Sequence, residues 1–390
     1  MPQDFIEKKL KELKDKGLYR SLNLVDSPQK PRIKINGKEY ILLCSNNYLG
    51  LANHPKIKEA AINAIKKYGV GAGGARLVSG NMKPHRELEE RIAKFKKTES
   101  SLVFNSGYHA NLGIISALVG RGDFVFSDKL NHASIVDGCL LSGAEFKRYP
   151  HKDISVLEDL LKKHSRLTTR NSRLIITDGV FSMDGDIAPL KDILNLAEKY
   201  NAMLMIDDAH GTGVLGKNGR GTLEHLGIKN KDIIQMGTFG KAIGTFGAYA
   251  AGSKKLIDYL INKARPFIYT TALPPAICSA SISAIDIIEK QPQIRKDLWD
   301  RVRYFIKGLK DAGIETSGET QIIPIIIGNA KKAVDISKKL FEKGVFVQAI
   351  RPPAVPEGTA RLRITLMANH SWDDLEYALE TIKETVANFA

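Results

Sequence analysis

The sequence runs to 390 residues, 43% hydrophobic and 26% charged, with 58 basic against 43 acidic side chains and a net charge of +15. That length is beyond what one hydrophobic core usually serves, so two packed lobes are expected. Three isolated cysteines (Cys44, Cys139 and Cys278) argue against a disulfide framework or a thiolate zinc site, and no apolar run approaches the ~20 residues of a membrane span.

In chain order, MPQDFIEKKLKELKDKG (residues 1–17) mixes acids with bases and has no apolar signal core, so the protein is expected to be soluble and cytoplasmic. Asp4 and Glu7 have capping-box spacing, Phe5, Ile6, Leu10 and Leu13 form a stripe, and Gly17 can end the helix. Residues 1–45 are expected to form an N-terminal segment of helix and extended arm. Residues 46–290 then form a large domain and 291–390 a small C-terminal α+β domain.

Within the large domain, short apolar runs alternate with helix-period segments. The runs are Ser101–Asn105, Asp123–Ser127, Glu145–Tyr149, Arg173–Asp178, Met203–Asp207, Ile233–Thr238 and Ala248–Gly252. This alternation predicts an α/β fold with a mostly parallel seven-stranded sheet covered by helices. Beyond Gln291-Pro292 a helix over about 294–312 is predicted, with strands near 322–327, 345–349 and 361–365 and a last helix from Asp373. The lysines alternate with acids, as over 57–68 and 331–343, without clustered aromatic residues. They read as a solvated surface that can steer anionic substrates rather than as a nucleic-acid site. No metal, nucleic acid or membrane is expected as a partner.

Four stretches place chemistry at strand ends, where open α/β sheets bind ligands. MLMIDDAHGTG (203–213) delivers Asp207, Asp208 and His210 into a glycine-containing loop. A carboxylate buried there needs a cationic partner, although a helix cap or metal acid would read similarly. MGTFGKAIG (236–244) ends a strand at Thr238 and sets Lys241 among small residues; it is no phosphate P-loop, and an exposed loop lysine is the plain alternative. SGYHAN (106–111) offers the amides of Gly107 and Tyr108 at a helix start, a natural phosphate site or simply a strand-to-helix turn. SDKLNHAS (127–134) carries His132, able to stack on a planar ligand or only to begin a helix. The glycine-rich run over 69–81 lacks GxGxxG after a strand, so no dinucleotide site is expected.

Taken with SNNYLGL (45–51), GVGAGGARLVSG (69–80) and DGVFSMDGDIAPL (178–190), these stretches resemble the α-oxoamine synthase family of fold-type I pyridoxal-phosphate (PLP) enzymes. The resemblance implies a PLP-dependent transferase that condenses an amino acid with an acyl thioester and releases carbon dioxide. By position, Lys241 matches the Schiff-base lysine, Asp207 the acid at the pyridine nitrogen, His210 the histidine near the phenolic oxygen and His132 the ring-stacking histidine. Those four are the implied catalytic residues. Gly107, Tyr108 and Thr238 match phosphate binding, Ser182 a further cofactor contact, and Thr271 a threonine reaching the neighbouring subunit's phosphate in a homodimer. Arg351 matches a carboxylate-binding arginine, and Arg20 and Asn46 are placed with the substrate residues. Residues 348–370 resemble the biotin-pathway branch, which joins a pimeloyl thioester, carried on CoA or a carrier protein, to L-alanine. Glycine plus acetyl-CoA is the alternative. Ala354 stands where that branch often has threonine.

Overall fold

The computed structural model describes residues 2–16, 18–165, 171–229 and 232–389. Thirteen strands occur among them. They are β1 (Arg32–Ile35), β2 (Lys38–Leu42), β3 (Ser100–Phe104), β4 (Phe124–Asp128), β5 (Glu145–Tyr149), β6 (Arg173–Asp178) and β7 (Met203–Asp207). The rest are β8 (Ile234–Thr238), β9 (Ala248–Gly252), β10 (Ile322–Gly328), β11 (Val345–Phe346), β12 (Gln348–Ile350) and β13 (Ala360–Thr365). Contacts divide the chain into two compact units. One takes Met1–Ser45, Met183–Gly185 and Asp297–Ala390; the other takes Asn46–Ser182 and Asp186–Lys296.

The second unit is built on a seven-stranded sheet of order β3-β9-β8-β7-β6-β4-β5, in which only β9 runs against its neighbours. Its central strands read as continuous apolar runs because both faces are buried. Val125, Leu174, Ile176 and Met205 enter one core with Ile114, Ile135 and Leu260. Their alternates, Phe124, Phe126, Ile175, Leu204 and Ile206, enter another with Leu157, Ile193 and Leu223. The seven expected strands appear within a residue of their predicted limits. The chain goes from β4 out to β5 and returns to β6 on the other side of β4. The carboxyl ends of β4, β6, β7 and β8 therefore open at a point where the strand order reverses.

The first unit holds two three-stranded sheets, β1-β2-β11 and β10-β13-β12. The run 345–349, expected as one strand, is two: β11 pairs with β2, and β12 pairs with β13. The β1–β2 hairpin lies in what was read as an extended arm. It turns at Asn36-Gly37, both with positive φ, the arrangement that suits a tight hairpin. The first helix spans Pro2–Asp15, so Asp4 lies in its first turn rather than at its cap. Phe5 and Ile6 of its stripe are exposed, and Gly17 lies outside the described residues. Among the described residues no helix is long and apolar enough to cross a membrane.

Candidate active site

The loop after β7 shows what each of two adjacent acids can do. Asp208 is an internal strut. Its carboxylate meets Lys96 Nζ at 2.8 Å, Thr212 Oγ1 at 3.0 Å, and Thr222 N and Oγ1 at 3.0 and 2.6 Å. Both side chains of the Lys96–Asp208 pair are almost wholly buried. The backbone wraps this carboxylate so closely that a Cβ on Gly211 would lie 2.2 Å from it, and one on Gly221 1.7 Å. Gly211 in DDAHGTG and Gly221 beyond it thus make room for a buried ion pair.

Asp207, also buried, faces differently. Its two donors, Asn111 Nδ2 at 2.8 Å and the Ala209 amide at 3.0 Å, are uncharged. Neither donor is a cation, so the place of a cationic partner is left to one that arrives with a ligand.

Lys241 follows β8 and brings Nζ within 2.8 Å of His210 Nε2. His210 Nδ1 lies 2.7 Å from Tyr48 Oη, which donates at 3.0 Å to Asn46 Oδ1. One proton order serves the whole chain: Lys241 donates to Nε2, Nδ1–H donates to Tyr48, and the phenol donates to Asn46. His210 is thereby set in the tautomer that can accept from the lysine.

His132 heads the helix Ala133–Ser142. Its backbone amide donates to Asp178 Oδ2 at 3.0 Å, and its Nδ1 accepts from Ser134 N at 3.2 Å and Ser134 Oγ at 2.8 Å. Ser134 Oγ in turn accepts from Asn111 Nδ2. The capping role is therefore real, and the same contacts fix the ring while tying it to Asp207 through Ser134 and Asn111. Burial lowers the affinity of His132 for a proton, against the pull of Asp207. Asp178 sits beside Asp207 across β6–β7, and burial, then that neighbouring charge, holds its pKa well above the usual carboxylate range.

At the other end of the row, Gly107 and Tyr108 open the helix Gly107–Leu118, capped by Ser106 Oγ on the His109 amide. Thr238 Oγ1 is buried with no hydrogen-bond partner among the described residues. A Cβ on Gly107 would come 2.7 Å from Thr238 Cγ2, so only glycine lets this helix start lie against β8. A buried orphan hydroxyl beside a helix N-terminus suits an anionic group. The second unit thus lines up an anion end, an amine and an uncompensated carboxylate. These residues fit a ligand with a phosphate, an aldehyde and a protonated ring nitrogen.

The remaining candidates lie elsewhere. Ser182 is half-buried in the loop after β6. Thr271 is exposed; its backbone pairs with Ala75, and its carbonyl accepts from Asn105. Arg20 and Arg351 belong to the first unit, where they line a cleft of about 580 Å³ with Lys338, Ser337, Phe341 and Ala354. Arg351 donates to the Tyr19 carbonyl at 2.9 Å, and burial together with the Arg20 charge weakens its hold on its proton. Such paired cations are short of an anion.

Tyr48, Asn111, Ser134, Asp178 and Lys96 were assigned no role from sequence. The first four lie inside stretches already singled out. Lys96 had its own signal: it continues the buried face of its helix, after Leu88, Ile92 and Phe95.

A model of the aminotransferase class I and II family matches residues 38–382. The chain is 56% identical over 376 residues to the 8-amino-7-oxononanoate synthase of Geotalea daltonii, covering 96% of this chain and 95% of that one. Among solved structures, serine palmitoyltransferase from S. paucimobilis superposes with a TM-score of 0.92 at 32% identity, covering 99% of this chain and 97% of that one. The 8-amino-7-oxononanoate synthase from Francisella tularensis gives 0.77 at 33% identity, covering 90% and 98%. The chain belongs to the class I and II aminotransferase family and, within it, to the α-oxoamine synthases.

Proposed function

We propose that the protein is a PLP-dependent acyltransferase that joins L-alanine to a pimeloyl thioester, forming 8-amino-7-oxononanoate and releasing carbon dioxide and the free thiol. The observation that carries the PLP reading is the pairing of Lys241 with His210 alongside Asp207, a buried acid with only neutral donors. The high identity to 8-amino-7-oxononanoate synthases supports the choice of substrates. The close superposition on serine palmitoyltransferase comes at much lower identity, and speaks to the shared scaffold more than to the substrate.

When bound, PLP supplies an electron sink for charge developing at the amino acid's α-carbon. Asp207 then holds a proton on the ring nitrogen. Thr238 Oγ1 and the amides of Gly107 and Tyr108 hold the phosphate. Lys241 would be the amine that holds the cofactor's aldehyde, and the same amine would move the α-proton. His210, fixed by Tyr48 and Asn46, sits 2.8 Å from that amine and accepts its hydrogen bond. His132 covers the ring and Ser182 adds a polar contact. Arg351 takes the substrate carboxylate, with Arg20 and Asn46 as further substrate contacts. Thr271, exposed in the single chain, reaches the phosphate of a second copy, so the working form is a homodimer in the cytoplasm. The acyl group arrives on CoA or on a carrier protein.

A substrate matrix tests the reading: pimeloyl-CoA, pimeloyl-carrier protein and acetyl-CoA, each with L-alanine, glycine and serine. Turnover confined to pimeloyl donors with alanine is expected. Preference for acetyl-CoA with glycine would overturn it.

A further inference from the structure

His151 takes no part in the chemistry above, yet its contacts span three strand ends. It lies two residues beyond β5, with only about a quarter of its side chain exposed. Its Nδ1 is 3.1 Å from Asp128 Oδ1, at the end of β4, and its Nε2 is 2.9 Å from Asp186 Oδ2, in the segment after β6. Phe181 meets its ring edge-on at 4.4 Å. Carboxylate oxygens only accept, and a neutral imidazole has one N–H to give, so serving both acids requires the imidazolium.

Each acid organises backbone. Asp128 also accepts from the amides of Leu130 and Lys152, both at 2.8 Å, which shapes the loop leading to His132. Asp186 takes Lys152 Nζ at 3.0 Å, and its carbonyl accepts from the Phe181 amide, closing the turn beside Ser182. We propose that His151 is a positioning residue, a doubly bound imidazolium that clamps the loops after β4, β5 and β6 and so fixes those carrying His132 and Ser182. Its effect on cofactor binding rests on the PLP reading; the clamp itself does not.

Burial pulls the proton affinity of His151 down, but the hydrogen bonds and charges of Asp128 and Asp186 outweigh it, and its pKa is pushed from 6.5 up to about 9. The charged groups facing it are Asp128, Asp186 and Lys152, with Tyr149 and Asp178 next to Asp128. A histidine pKa raised by folding stabilises fully below 6.5, and the contribution is lost as pH rises through about 9.

The test compares the whole chain with His151→Asn and Asp186→Asn. Histidine-labelled NMR of the PLP-free protein is expected to show His151 doubly protonated at pH 7 and titrating near 9, with Asp186→Asn moving that titration down. Unfolding from pH 6 to 10 is expected to show a stability gap between wild type and His151→Asn that shrinks as pH rises above 6.5 and is largely gone beyond about 9. At pH 7 the variant should bind PLP about tenfold more weakly, as expected for about 1.4 kcal/mol, and the ratio should also fall at high pH. A neutral His151 at pH 7, an Asp186→Asn titration that does not move, a stability gap independent of pH, or unchanged PLP affinity would each overturn the proposal. Failure of the wild type to bind PLP would instead sink the cofactor reading, leaving the NMR and unfolding results to decide the clamp.

Discussion

Replacing Lys96 with methionine keeps most of the length of the side chain and removes its charge. The lysine and Asp208 are both nearly inaccessible, and Lys96 Nζ also bonds Thr212 Oγ1 at 3.3 Å and the Arg220 carbonyl. Burial alone would lower the lysine's pKa, but Asp208 and Tyr249 more than reverse this, so folding holds it raised. Its loss leaves Asp208 with hydroxyl and amide donors but no cation, in a fold too close to admit compensating groups. Removing one partner of a buried pair typically costs about 3–5 kcal/mol, and that range is expected for Lys96→Met. Denaturant unfolding of the PLP-free protein measures it. The double variant Lys96→Met/Asp208→Asn removes the stranded charge, and should recover at least half of the loss. A single variant within about 1 kcal/mol of wild type, against the 3–5 expected, would refute the claim that this pair holds the 207–221 loop.

Three other outcomes follow from the same geometry. Gly221→Ala, at φ 100° with its Cβ 1.7 Å from Asp208 Oδ2, should cost about 3 kcal/mol or more on a thermal or urea transition. Thr238→Val removes a buried hydroxyl that has no partner, so the PLP-free chain should be as stable or slightly more so while PLP binds about fivefold to twentyfold more weakly; equilibrium dialysis alongside unfolding separates the two effects. Tyr48→Phe breaks the link from His210 to Asn46 and should lower kcat/KM about tenfold without unfolding the protein, the size of one lost buried hydrogen bond.

The sheet was legible because its strands are buried on both faces, so runs such as RLIITD and MLMID stand out without any need for alternation. Segments 345–349 and 32–42 were harder. Val345 to Ala349 is apolar but for Gln348, and nothing local shows that its halves pair with different sheets. The hairpin over 32–42 did carry a signal, Asn36-Gly37, but its strands are short and half polar. Of the candidate site, the glycine-bounded motifs marked the strand ends at which its residues gather. They could not divide labour between Asp207 and Asp208, because that division depends on Lys96, more than a hundred residues away in sequence. Tyr48 and Asn111 likewise gain their meaning from partners far along the chain, His210 and Asp207.

The central claim is that Lys241 is the amine that holds the cofactor, and the visible spectrum of the purified protein mixed with PLP tests it most directly. The account predicts a visible absorption band in the wild type, which sodium borohydride abolishes while leaving the cofactor covalently attached to Lys241, and no such band or adduct in Lys241→Ala. A band and a borohydride adduct that persist in Lys241→Ala would contradict it.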